Sequence, residues 1–240
     1  MRMRLFNLPN LLTCGNLLCG CLATFCVLKH EDVMACACFV ILGAVFDFFD
    51  GMTARALGIS GPIGKELDSL ADVVTFGVAP SAVAWHLLLA SDAGEWPSLV
   101  AFLMAAFSAL RLAKFNCDER QTSSFIGLPT PANALFWVSL PSAAGLLSHG
   151  DGHLPPWLTG VLLAVMSLML VCELPMFSLK FKRGHMGWRD LGLQYTFLAL
   201  SAVLIALCAL GGQPLGSLAA IVVLYVLMSV VQYLLNRSKN

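Results

Sequence analysis

Long apolar runs, each about as long as a lipid bilayer is thick, follow one another along most of the chain. A membrane-spanning helix needs about 20 mostly apolar residues. We find eight such runs, at about 9–28, 33–56, 69–90, 96–115, 131–148, 156–178, 192–211 and 215–235. Apart from 116–130 and 179–191, only short connections separate them. We therefore predict one all-α integral membrane domain over residues 1–240, built as a bundle of about eight transmembrane helices.

The composition agrees with a membrane protein. Hydrophobic residues make up 58% of the 240 residues, and charged residues make up only 12%. A soluble domain of this length needs more charged surface than that. The pattern thus excludes a soluble enzyme, and it indicates membrane lipids rather than nucleic acid as the surroundings.

The lysines and arginines fall almost entirely on one side of the predicted bundle. With eight spans and a cytoplasmic N-terminus, thirteen of the 14 lie in cytoplasmic segments, and only Lys29 lies opposite. Basic residues accumulate on the cytoplasmic side of membrane proteins. We expect both termini in the cytoplasm, in a bacterial cytoplasmic (inner) membrane. A helix count wrong by one would remove this asymmetry.

Four aspartates lie close together in sequence, between two strongly apolar regions. Acidic residues at or inside a membrane are costly to bury and are usually functional. Asp47 and Asp50 are three residues apart and Asp68 and Asp72 are four apart, so each pair shares a helix face. The first pair ends the second predicted span and the second pair begins the third. The connection at 57–67 contains three glycines and a proline, so it can turn sharply and bring both pairs together.

Converging carboxylates repel one another unless cations lie between them. Mg²⁺ and Mn²⁺ are hard ions that prefer such oxygen ligands. Gly51 and Ala54 leave space beside the acids, and Arg55 can offer a planar set of donors to a phosphate. Acids for metal, with arginine and small residues for phosphate, indicate metal-assisted phosphoryl transfer.

Two other interpretations of the acids remain open at this stage. The acids could form salt bridges with Arg55 and Lys65 at a wet interface, but two bases cannot neutralise five acids at 47–72. They could instead line the pathway of a cation transporter. Such pathways usually distribute charge over several spans, whereas the other predicted spans carry few acids.

The spacing of these residues resembles a known signature. Asp47-x2-Asp50-Gly51-x2-Ala54-Arg55-x8-Gly64-x3-Asp68-x3-Asp72 is similar, without departure, to that of the CDP-alcohol phosphatidyltransferases. The resemblance implies a membrane enzyme with a cytoplasm-facing active site that displaces CMP from a CDP-linked lipid with an alcohol. It implies that all four aspartates serve a Mg²⁺ or Mn²⁺ site and that Asp72 also deprotonates the acceptor. It places Gly51, Ala54, Arg55 and Gly64 against the CDP-diacylglycerol.

Two further segments bear on the acceptor alcohol, within residues 111–134. Arg111-Leu-Ala-Lys114-Phe-Asn116 ends the fourth predicted span, and Gly127-Leu-Pro-Thr130-Pro-Ala-Asn133-Ala134 begins the fifth. A small acceptor that carries a carboxylate needs fixed cationic donors. The alternative is ordinary anchoring of basic residues at the cytoplasmic face, followed by a proline-rich helix start.

These segments resemble the phosphatidylserine synthases of the same family. Leu8-Pro-Asn10-Leu-Leu-Thr13-Cys-Gly-Asn16 resembles them too, and the family uses this segment against the cytidine nucleotide; a capped helix start at Asn10 is the alternative. The resemblance implies L-serine as acceptor, CDP-diacylglycerol as donor and a homodimer. Glycerol 3-phosphate and inositol phosphate are the alternative acceptors. The residues implied near serine are Arg111, Lys114, Asn116, Thr130 and Asn133, and those implied near the nucleotide are Asn10 and Thr13.

A basic and aromatic loop at 180–189 completes the set of candidate segments. We expect it to hold the protein at anionic lipid headgroups, where each basic residue contributes about 1 kcal/mol.

Overall fold

The computed structural model describes residues 6–59, 61–91, 93–118, 126–147, 154–176 and 188–237. In these ranges the chain forms eight helical segments and no strand, apart from an isolated bridge between Ile126 and Pro175. Most of the loop at 180–189 lies outside them. The helices are α1 (Leu8–His30), α2 (Val33–Leu57), α3 (Pro62–Ala90), α4 (Glu95–Cys117), α5 (Thr130–Leu147), α6 (Pro156–Val171), α7 (Trp188–Leu210) and α8 (Gly216–Arg237).

The predicted all-α membrane fold is confirmed, but the count of eight spans is not. In the described ranges, six helices are long and apolar enough to cross a membrane: α1, α2, α3, α4, α7 and α8. Helix α6 is apolar but has only 16 residues, and α5 carries Pro141 in its interior. Each predicted run does contain a helix.

The boundaries of two helices, α3 and α6, differ most from the prediction. Helix α3 begins at Pro62 rather than near 69. Proline has no backbone N–H, and the first position of a helix does not need one, so proline is well suited to start a helix. Asp68 and Asp72 are therefore its seventh and eleventh residues and do not lie at its start. Helix α6 ends at Val171, well before 178, because the following residues run alongside the segment that precedes α5.

Helix α3 lies at the centre of the bundle. In an apolar stretch of 18 residues taken from each helix, 61% of the α3 stretch is buried inside the protein, against 33% for α1 and 28% for α2. Its middle, Val73–Val78, is π-helical and directly follows Asp72. Widened turns of this kind are rare and are frequently found at functional sites.

Glycines allow α1 and α2 to approach α3 closely. A Cβ atom at Gly20 would lie 2.7 Å from the Cα of Thr75, and one at Gly43 would lie 2.7 Å from its Cγ2. Small residues at helix contacts are typical of membrane bundles, where dispersion between closely packed helices replaces the hydrophobic effect. This contact sets how near the first helix comes to the aspartates.

Candidate active site

Three of the four predicted aspartates converge between the end of α2 and the second turn of α3. Oxygens of Asp47, Asp50 and Asp68 all lie within 4.8 Å of one another. Asp50 is 5% exposed, and the Asp47 and Asp68 carboxylates approach within hydrogen-bonding distance of each other. Gly58, with φ 63°, follows the end of α2, and α3 begins at Pro62, so the ends of the two helices are close in sequence.

The local structure suits a divalent cation. The donor set consists of carboxylate oxygens, which hard ions prefer. Asp68 Oδ1 is buried and has no hydrogen-bond partner among the described residues, so it is available to a ligand. Neither Arg55 nor Lys65 forms a salt bridge with these acids within the described ranges. The salt-bridge interpretation therefore has no support, and the residues fit a metal site.

Asp72 lies apart from the other three carboxylates. It is 8% exposed, and its Oδ1 accepts a hydrogen bond of 3.1 Å from Asn16 Nδ2. It lies near enough to Asp47 and Asp68 to interact with them electrostatically, but it does not join their cluster. The structure thus brings together three of the four predicted metal ligands and gives Asp72 a separate hydrogen-bonded position.

A cavity of about 270 Å³ opens beside the three carboxylates. All six residues predicted to contact CDP-diacylglycerol line it, together with two of the acids. The complete lining is Pro9, Asn10, Thr13, Asp50, Gly51, Ala54, Arg55, Ile59, Gly61, Gly64, Lys65 and Asp68. The six residues predicted to contact CDP-diacylglycerol thus lie around one continuous cavity formed by α1, α2 and the start of α3.

Small residues and one short hydrogen bond shape this cavity. A Cβ at Gly51 would lie 3.3 Å from Arg55 Nη1, so glycine leaves room for the guanidinium to fold back over the helix. Thr13 Oγ1 donates a 2.5 Å hydrogen bond to Asp50 Oδ2, which ties α1 to the acidic cluster. A hydrogen bond to an ionised carboxylate is among the stronger kinds in proteins.

The cap of α1 is Asn7 and not Asn10. Asn7 Oδ1 accepts a 2.8 Å hydrogen bond from the backbone N–H of Asn10. The side chain of Asn10 instead faces Gly64, where a Cβ would lie 3.6 Å from Asn10 Oδ1. Asn10 therefore does not cap the helix, and it lines the cavity.

The five residues predicted near the acceptor divide into two groups. Arg111, Thr130 and Asn133 are buried, at 7%, 1% and 0% exposure. Arg111 Nε, Thr130 Oγ1 and Asn133 Oδ1 each lack a hydrogen-bond partner in the part of the chain that the structure describes. Buried polar groups are normally paired, so unpaired ones indicate a place for a polar ligand or water. Asp72 interacts electrostatically with Arg111, which puts Arg111 near the fourth aspartate.

The other two acceptor-side residues are engaged elsewhere. Lys114 Nζ forms a 3.2 Å salt bridge with the exposed Glu173. Asn116 Nδ2 donates a 2.8 Å hydrogen bond to Ser69 Oγ, and the backbone oxygen of Asn116 accepts one of 2.8 Å from Lys65 Nζ. These contacts join the end of α4 to neighbouring segments and give both residues a structural role.

Two residues near the site did not figure among the predicted contacts. Lys65 lines the cavity beside Arg55. Asn16 reaches Asp72 from α1. A sequence signal for Asn16 exists, because Asn10, Thr13 and Asn16 recur every third residue in the otherwise apolar first half of the helix and so share one face.

Comparison with known proteins agrees with this geometry. A family model described as CDP-alcohol phosphatidyltransferase matches residues 6–232. A protein of Bacillus subtilis (strain 168) is 41% identical over 133 residues, which cover 55% of this chain and 74% of that protein. One of Helicobacter pylori (strain ATCC 700392 / 26695) is 38% identical over 136 residues, 56% of each chain. One of Mycobacterium leprae (strain TN) is 32% identical over 182 residues, 70% of this chain and 57% of that protein.

All three relatives are named CDP-diacylglycerol--serine O-phosphatidyltransferase. The chain spans little more than half the length of the Helicobacter and Mycobacterium proteins. The family model, by contrast, extends over nearly the whole sequence and includes the aspartates, the cavity and the helices that hold them. The family model matches nearly the whole chain, and residues of the signature lie together at one site. The chain therefore belongs to the CDP-alcohol phosphatidyltransferase family.

Proposed function

We propose that the protein transfers the phosphatidyl group of CDP-diacylglycerol to L-serine. The serine hydroxyl oxygen attacks the phosphorus next to diacylglycerol, and the bond from that phosphorus to the oxygen of CMP breaks. The products are phosphatidylserine and CMP, which leaves with the bonding electrons. The observation that carries the proposal is the convergence of three carboxylates within 4.8 Å beside a cavity that Arg55 lines.

The donor side of the site follows from the cavity. Asp47, Asp50 and Asp68 would hold Mg²⁺ or Mn²⁺, which neutralises phosphate charge when bound. Arg55 and Lys65 supply positive charge to the phosphates from the cavity wall. Asn10 and Thr13 approach the same space from α1 and would contact the nucleotide, while Gly51, Ala54 and Gly64 keep it open.

Asp72 is the proposed base. It is buried but lies outside the group of three carboxylates, and its Oδ1 is already hydrogen-bonded to Asn16. The second oxygen is left to accept the proton of the serine hydroxyl. General base catalysis of this kind is worth about 10²–10⁴-fold in rate.

The acceptor side rests on the three buried residues with unpaired polar atoms. Arg111 offers a guanidinium to the serine carboxylate, and Thr130 and Asn133 offer groups that can bind its ammonium or carboxylate. The names of the relatives support serine over other alcohols. Lys114 and Asn116 have protein partners instead, so we assign them no direct contact.

An acceptor screen tests the proposal. Purified protein with CDP-diacylglycerol and Mg²⁺ or Mn²⁺ should release CMP when L-serine is added, and a chelator should abolish the release. Release driven by glycerol 3-phosphate or inositol phosphate, and not by serine, would exclude the serine assignment while keeping the reaction class. Ion flux in proteoliposomes without any CMP release would indicate the transporter alternative.

Arg111→Gln should raise the KM for serine by about 10- to 100-fold, because a hydrogen bond to a charged group contributes roughly 1.5–3 kcal/mol. The KM for CDP-diacylglycerol should stay within about threefold, since Arg111 does not line its cavity. Both values come from initial rates of CMP release at varied substrate concentration.

Lys114→Gln is the matched control for Arg111, one turn along α4. It removes an exposed salt bridge, which is worth about 1 kcal/mol or less, so its serine KM should stay within about threefold. Arg111→Lys keeps the positive charge at this buried position. It therefore helps to distinguish a loss of protein folding from a loss of serine recognition. An unchanged serine KM in a folded Arg111→Gln protein would remove Arg111 from the acceptor site.

The proposed setting is a bacterial cytoplasmic membrane, with the site and both termini on the cytoplasmic side. The distribution of basic residues along the chain supports it. Reporter fusions at the two termini test the orientation, and a periplasmic signal at either end would contradict it. The homodimer implied by the family resemblance stays a prediction.

A further inference from the structure

Asn16 of α1 forms a buried contact with α3 that the catalytic roles above do not use. Its side chain is 0% exposed, and it is absent from the lining of the cavity. In the segment proposed to contact the nucleotide, Asn10 and Thr13 line the cavity, whereas Asn16 does not. Its amide nitrogen contacts Asp72 Oδ1 instead, at 3.1 Å.

A second hydrogen bond joins the same two helices in the opposite direction. Thr75 Oγ1 donates to the backbone oxygen of Asn16 at 2.9 Å. Thr75 is itself 0% exposed and lies in the π-helical stretch that begins immediately after Asp72. The Asn16 side chain thus holds the aspartate, and the Thr75 side chain holds the backbone that carries Asn16.

Two glycines make this paired contact possible. A Cβ at Gly20 would overlap Thr75 Oγ1, and one at Gly43 would lie 3.0 Å from Asn16 Oδ1. A larger residue at Gly20 would force α1 away from α3, and one at Gly43 on α2 would press on the side chains of Asn16 and Thr75. Either change would disturb the Asn16–Asp72 hydrogen bond. Asn16 Oδ1 has no hydrogen-bond partner among the described residues, so donation to Asp72 is the hydrogen bond that the structure shows for this side chain.

We propose that Asn16 is a positioning residue for Asp72, and that Thr75 keeps Asn16 in place. The amide holds Oδ1, so the carboxylate cannot rotate freely, and Oδ2 is directed to the acceptor hydroxyl. This inference rests on the proposed role of Asp72 as the base. A misplacement of about 1 Å in a reacting group can cost about 10²-fold in rate.

Asn16→Leu removes the donor and keeps the branched outline of the side chain. We expect kcat to fall by about 10- to 100-fold, with the KM for CDP-diacylglycerol and for serine within about threefold of the wild type. The control is Thr24→Val, two turns along the same helix, where the lost hydroxyl donates only to Gly20 of its own helix. That variant should keep its kcat within about twofold.

Thr75 provides a test by rescue. Thr75→Val removes the hydroxyl and should lower kcat with the KM values unchanged, whereas Thr75→Ser keeps the hydroxyl and should restore most of the loss. A purely structural role for the contact predicts a different result, in which the amount of folded protein falls but the kcat per folded molecule does not. The fraction of folded protein is measured by size-exclusion chromatography in detergent.

Each outcome decides between these roles. A folded Asn16→Leu protein with unchanged kcat overturns the proposal, and so does a Thr75→Ser variant as impaired as Thr75→Val. If Asn16→Leu does not accumulate, the Thr75 pair gives the answer. Should the wild type use another alcohol in place of serine, the serine assignment fails, but the same kcat ratios with that alcohol still test Asn16. A wild type without CMP release on any acceptor overturns both.

Discussion

Replacing Asp72 by asparagine is expected to lower kcat by about 10²–10⁴-fold, the usual contribution of a general base. The substitution keeps the shape of the side chain, and its Oδ1 can still accept the hydrogen bond from Asn16. What it removes is the oxygen that takes the proton. Because Asp72 lies outside the cluster of three carboxylates, the affinity for CDP-diacylglycerol with Mg²⁺ should change by no more than a few-fold.

The measurement combines CMP release under saturating substrates with direct binding of CDP-diacylglycerol. Glu66→Gln is the matched control, since Glu66 is an exposed acid on the same helix that takes no part in the cluster. Its kcat should stay within about twofold. Normal turnover by Asp72→Asn would exclude Asp72 as the base, and a parallel loss of lipid binding would place it among the metal ligands instead.

Gly127→Ala is expected to have the largest effect on folding. Gly127 has φ 76°, a conformation that costs an L-residue about 1–2 kcal/mol. A Cβ there would also lie 2.8 Å from the backbone oxygen of Leu170 and 2.9 Å from that of Cys172. These atoms belong to backbone that cannot move aside cheaply, because Leu128 N–H donates a 2.8 Å hydrogen bond to the oxygen of Met169.

We expect the melting temperature in detergent to fall by about 5 °C or more, since 1 kcal/mol corresponds to about 2–4 °C in a chain of this size. Gly160→Ala is the control within α6, where a Cβ meets nothing within 4 Å. It should leave the melting temperature unchanged or raise it slightly, because alanine favours a helix. An unchanged melting temperature in Gly127→Ala would show that this contact is not needed for the fold.

The Gly127 contact also changes the interpretation of the segment at 127–134. Sequence resemblance connected the whole segment to the acceptor alcohol. In the structure, Gly127 and Leu128 hold the end of α6, whereas Thr130 and Asn133, on the first turn of α5, carry the unpaired polar atoms. The segment therefore combines a structural start with an end that carries unpaired buried polar atoms, and only tertiary contacts separate the two.

Hydropathy and residue spacing along the chain were sufficient to predict the helices and the pairing of the aspartates. They identified a helix in each of the eight apolar runs, and they placed Asp47 and Asp50 on one helix face and Asp68 and Asp72 on another. These are properties of residues within about one helical turn or one bilayer thickness, so no information about neighbouring helices is needed. The signature then indicated the family, which the match over residues 6–232 confirms.

Contacts between helices were beyond the reach of such local patterns. Which of four aspartates share a cluster, and which one turns to Asn16 on α1, depends on how closely α1 and α2 approach α3. That distance is set by Gly20 and Gly43 against Thr75, residues far apart in the sequence. The order of the helices and the pairing of the four aspartates on two helix faces were determined by the sequence alone. The separation of Asp72 from the three clustered carboxylates was decided by tertiary packing, because only packing brings α1 to its side.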